Sequence, residues 1–123
     1  MRKTIFILSA LLLASVLLAA CGSGDSGGDP AVDAGKKLFA ESVVGTQAGC
    51  ITCHSLDEGV VIVGPSMAGI GSRSDSAGIR ESILDPNATL VEGFPADTMP
   101  NVWGDELSGE QIDQLVAYLL TLK

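Results

Sequence analysis

The chain has 123 residues, a formal net charge of −8 and three cysteines. Its length fits one domain and not two, and its acidic balance excludes nucleic acid and anionic lipid headgroups as charge-driven partners.

Arg2 and Lys3 precede an apolar run over residues 5–20, the pattern of a cleaved signal peptide spanning 1–20. The run falls short of the roughly 20 apolar residues that a membrane-spanning helix needs. It ends in Leu18-Ala19-Ala20-Cys21, which resembles the lipobox of bacterial lipoproteins. That resemblance implies that Cys21 takes a diacylglycerol on its sulfur and becomes the mature N-terminus, placing the protein outside the cytoplasm on a lipid anchor. An uncleaved signal anchor, or a plain secretory peptide with Cys21 as a spare thiol, are the competing readings; a spare exposed thiol is a liability in an oxidising compartment. Cleavage removes Arg2 and Lys3, the only charges before Cys21, so the net becomes −10 on 103 residues, the size of one domain. Residues 21–29 read Cys-Gly-Ser-Gly-Asp-Ser-Gly-Gly-Asp, a flexible tether reaching on the order of 15 Å. The folded domain is expected over 30–123.

Asp29-Pro30 supplies an N-cap and a first-turn proline, and Ala31, Ala34, Leu38 and Phe39 follow at helical spacing, so a helix is expected over 30–41. Gly35 in its middle costs about 1 kcal/mol against alanine and argues for close approach of another backbone. Residues 55–73 are loop-like, broken by Gly59, Gly64-Pro65, Gly69 and Gly71, with at most a weak β-bridge at 60–63. Ser74 or Asp75 can cap a helix that runs to about Leu84 and stops at Asp85-Pro86. The stretch 85–107 has no periodicity and holds Pro86, Gly93, Pro95, Pro100 and Gly104; so long a loop in a small domain is usually functional. Ser108 and Gln111 then form a capping box ahead of Ile112, Leu115, Val116, Leu119 and Leu120, whose stripe needs the first helix as its partner. With Phe39, Phe94, Trp103 and Tyr118 as the only aromatic residues after the signal peptide, the core is thin enough to call for a large apolar group from elsewhere.

Cys50-Ile51-Thr52-Cys53-His54 has the spacing for covalent haem. Two thiols one turn apart can each add to a vinyl group, and the next side chain can turn its imidazole to the iron. A thioredoxin-like pair would want a βαβ setting, and a structural zinc site would want four Cys or His ligands. A disulfide closing so short a loop would stabilise little. His54 is the one histidine in the chain, so a second axial histidine is excluded. Met1 leaves with the signal peptide, and Met67 and Met99 remain as thioether candidates. Met67 follows His54 by only 13 residues and suits a core position, whereas Met99 stands beside Pro100 in the aperiodic loop and is the better candidate.

Residues 33–122 resemble a small class I cytochrome c. The resemblance is carried by Gly35-Lys36-Lys37-Leu38-Phe39, the haem motif, Gly64-Pro65-Ser66-Met67, Thr98-Met99-Pro100 and the segment 107–122, all in the family's order. It implies an all-α fold of three to five helices around one covalently bound haem, with the first and last helices crossing at Gly35, Phe39 and Tyr118. It also implies thioethers at Cys50 and Cys53, axial ligation by His54 and Met99, a Pro65 carbonyl accepting the His54 Nδ1 proton, and Trp103 beside a haem propionate. Residues 79–100 are similar to cytochrome c domains fused to oxidase subunits. The resemblance therefore implies a tethered single-electron carrier of a respiratory or photosynthetic chain, not an enzyme, with no small-molecule substrate. A fixed subunit of an oxidase or quinol-oxidising complex and a gas-binding haem sensor are the alternatives. Redox partners would present basic or mixed docking faces to so acidic a domain.

Overall fold

The computed structural model describes residues 28–123; the expected signal peptide, Cys21 and most of the tether lie outside the described residues. The helices α1 (Pro30–Ala40) and α6 (Gly109–Thr121) form the framework. Between them run the two-residue strands β1 (Val43–Val44) and β2 (Gln47–Ala48), then α2 (Cys50–Cys53), α3 (Ile70–Arg73), α4 (Ser76–Leu84) and α5 (Trp103–Glu106). The fold is the small all-α one expected, with six helices among the described residues in place of three to five. The excess is α2, α3 and α5, each a single turn too short to leave a periodic signal. Among the described residues no helix is long and apolar enough to cross a membrane.

Local chemistry sets the ends of the long helices. The Asp29 carboxylate accepts from the Ala31 N–H at 2.9 Å, satisfying a donor that the first turn would leave orphaned, and Pro30 follows with no N–H to satisfy. At α6 the capping box is reciprocal: the Gln111 N–H donates to Ser108 Oγ at 3.2 Å, and the Ser108 N–H donates to Gln111 Oε1 at 2.9 Å. The Asp75 carboxylate caps α4 through the Gly78 N–H at 2.9 Å.

The core is the crossing of α1 and α6. Leu38 and Phe39 bury against Ile112, Leu115, Val116, Tyr118 and Leu119, and the Phe39 and Tyr118 rings meet at 5.7 Å with a 59° tilt, an edge-to-face-like arrangement. Gly35 is what lets the helices come so close. A Cβ there would overlap the Gln114 carbonyl oxygen and stand 2.9 Å from the Tyr118 Cβ. α4 adds Ile79 and Ile83 to the same core, with an ion pair from Arg80 to Asp113 across to α6.

Candidate haem-attachment site

Each cysteine is positioned by its neighbours. The antiparallel β1–β2 hairpin closes with the Gly49 N–H donating to the Ser42 carbonyl at 2.9 Å, which delivers the chain to the one-turn helix α2. The hairpin's turn is held by a segment distant in the sequence: Glu106 on α5 accepts the Thr46 N–H at 3.0 Å and the Thr46 hydroxyl. Those bonds, from the hydroxyl and then the N–H, hold the Glu106 carboxyl below the usual carboxylate range. The sequence reading missed this tie, because Thr46 and Glu106 are sixty residues apart.

Cys50 and Cys53 are both free thiols, half-buried and unbridged to one another. Burial pushes the Cys50 thiol up, and the neighbouring Cys53 adds to the effect. Among the described residues no group of three or more His, Cys, Asp and Glu side chains gathers to hold a metal ion.

His54 follows directly, its N–H donating to the Cys50 carbonyl at 2.9 Å. Its Nδ1 lies 2.8 Å from the Pro65 carbonyl oxygen. A carbonyl can only accept, so Nδ1 carries the proton, and in the neutral ring that leaves the lone pair on Nε2, the form in which an imidazole ligates a metal. The loop that carries Pro65 is stitched to the same segment. The Cys53 carbonyl accepts the N–H groups of Val63 at 3.2 Å and Gly64 at 2.9 Å, and the Ser55 carbonyl accepts that of Met67 at 2.8 Å. His54 and Val61 form the bridge expected at 60–63. Gly64 packs against the imidazole so closely that a Cβ would sit 2.5 Å from Cε1. Arg73 braces the loop by donating to the Ser66 carbonyl at 3.2 Å and to that of Ala68.

Burial does not separate the two methionines, since both are half-buried and pack on the core. Connection does. Met67 has its backbone bonded to the residue after His54, whereas Met99 rides on the independent segment between α4 and α5.

Trp103, the first residue of α5, is 4% exposed, and its Nε1–H is buried with no acceptor in the protein. A donor left so is costly, by about 1–3 kcal/mol, and calls for an acceptor from outside the chain. Leu56, Leu84, Leu90, Val91 and residues 60–63 are left more than a third exposed. Two open thiols, a fixed lone-pair nitrogen, an orphaned N–H and uncovered apolar side chains together fit a large apolar group that bears carboxylates, as haem does.

The comparisons agree with that fit. A protein-family model described as cytochrome c matches residues 32–123. The chain is 34% identical over 101 residues to a protein described as cytochrome c-551 from Bacillus subtilis, an alignment covering 79% of this chain and 88% of that protein. No solved structure gives a significant match.

Proposed function

This chain belongs to the cytochrome c family and is therefore a haem-based electron carrier with haem c bound through Cys50 and Cys53, and from that premise we propose that it works tethered to a membrane, with His54 and Met99 as its axial ligands. The bound haem supplies one iron that gains or loses a single electron. Residues of the chain do the rest. Pro65 holds the His54 ring in one tautomer and orientation, an arrangement that also raises the basicity of Nε2. The observation that carries the ligand reading is the tie from the Met67 N–H to the Ser55 carbonyl, 2.8 Å long. It keeps Met67 with the His54 segment, while a second ligand to the iron would have to come from a segment not tied to His54. Met99 has that freedom. A thioether opposite imidazole raises the reduction potential and leaves no open site for a substrate or gas, which favours electron transfer. Trp103 Nε1–H would donate to a propionate.

The test is a pair of substitutions in the haem-loaded protein. Met99→Ala is expected to keep its haem but lose the far-red thioether-to-iron absorption band, and its reduced form should take up carbon monoxide, which the parent protein should not. Met67→Ala should keep the band. The reverse pattern would assign the ligand to Met67, and carbon monoxide uptake by the parent protein would favour the gas-binding reading.

The tether reading rests on Leu18-Ala19-Ala20-Cys21 after an apolar run and on the Gly/Ser-rich segment that follows. Cys21→Ser is expected to move the protein from the membrane fraction to the soluble one. Unchanged membrane association would remove the lipid from the account. We place the protein outside the cytoplasm, passing electrons to or from a membrane complex such as a terminal oxidase. The net charge of −10 after cleavage favours partners with basic or mixed docking faces.

A further inference from the structure

The segment that carries Met99 has little regular structure to hold it. Between the end of α4 and the start of α5, its backbone makes short-range bonds such as Ala88 N–H to the Asp85 carbonyl and Phe94 N–H to the Val91 carbonyl, both 3.0 Å. One contact joins its two arms. The Asn87 side-chain amide donates from Nδ2 to Asp97 Oδ1 at 2.8 Å, and its Oδ1 accepts the Asp97 N–H at 2.9 Å. Asp97 is also the one described non-glycine residue with positive φ, at 60°, a left-handed conformation that Asp and Asn tolerate better than most residues. The chain reverses there, two residues before Met99.

We propose that the Asn87–Asp97 clasp is a positioning device that keeps the Met99 thioether on the iron, so that its strength sets how readily the ligand comes off; the inference rests on Met99 being the axial ligand. The chemistry requires these residue types. An amide carries a donor and an acceptor on one plane, so one short side chain can make both bonds. With its ends joined, the intervening lobe of 88–96 loses chain freedom before the ligand binds, and the thioether does not have to order it. Opening the clasp returns that freedom to the ligand-off state only. The thioethers at Cys50 and Cys53 keep the haem in place whether or not Met99 is bound.

The experiment measures how fast imidazole replaces the sixth ligand in the oxidised, haem-loaded protein, followed by loss of the far-red band at saturating imidazole, where departure of the thioether limits the rate. Asn87→Ala removes both bonds and is expected to exchange about tenfold faster. Asn87→Asp has nearly the same shape but sets two carboxylates face to face, so it should exchange at least as fast. Asp97→Asn keeps the acceptor and should stay near the parent rate. Combining Asn87→Asp with Asp97→Asn reverses the polarity of the pair and should bring the rate back. A purely structural role would not give that recovery. Parent-like exchange in Asn87→Ala, or no recovery in the reversed pair, overturns the clasp. Retention of the far-red band in Met99→Ala overturns the ligand assignment, and the clasp's role with it, so the two failures are told apart.

Discussion

Gly35→Ala is expected to lower the unfolding temperature of the haem-loaded protein by roughly 10 °C or more. Two effects of opposite sign compete at this position. Alanine favours a helix interior by about 1 kcal/mol over glycine. Against that, the new Cβ would overlap the Gln114 carbonyl oxygen and press the Tyr118 Cβ at 2.9 Å. Backbone cannot rotate away as a side chain can, so α1 must lift from α6 along the crossing that buries Leu38 and Phe39. Overpacking of this sort costs about 1–3 kcal/mol and sometimes more, out of about 5–15 kcal/mol for a whole domain. The steric effect wins. Gly109→Ala is the control, since nothing lies within 4 Å of a Cβ at Gly109 in the first turn of α6. It should leave the unfolding temperature unchanged or raise it slightly. Equal behaviour of the two variants in a thermal melt would contradict the close-crossing reading.

The long helices were legible because their ends are written in side-chain chemistry: Asp29-Pro30 for α1, Ser108 with Gln111 for α6, Asp75 for α4. The β1–β2 hairpin was not, since strands of two residues leave no alternation to read. Single-turn helices such as Trp103–Glu106 escape for the same reason. At the site, the spacing of Cys50, Cys53 and His54 announced the cofactor. What spacing cannot give is the state of a ring or the partner of an amide. The protonation of His54 at Nδ1 follows from its 2.8 Å contact with Pro65. Arg73, Glu106, Asn87 and Asp97 act through bonds that cross between segments, and nothing periodic surrounds them. The proline- and glycine-rich character of 85–107 marked that stretch as functional without saying how it is held.

The second large effect concerns the cysteines themselves. Cys50 and Cys53 stand at the two ends of a single helical turn, unbridged, with His54 turned by Pro65 immediately after them. Each S–H adds across one vinyl group, the sulfur bonding to carbon and the proton going to the other vinyl carbon, so no oxidant is consumed. The resulting thioethers survive denaturation, whereas a ligand held only by packing and axial bonds does not. Cys50→Ser combined with Cys53→Ser leaves no covalent hold. A domain whose core calls for a large apolar group should then accumulate poorly and without colour. The most direct measurement is the mass of the peptide containing residues 50–54, taken after the parent protein, made in a host that matures c-type cytochromes, is denatured in acidified organic solvent and digested. The expected result is a coloured peptide heavier by one haem, and none from the double variant. Colourless protein, or pigment released into the solvent with the peptide at its unmodified mass, would contradict the account.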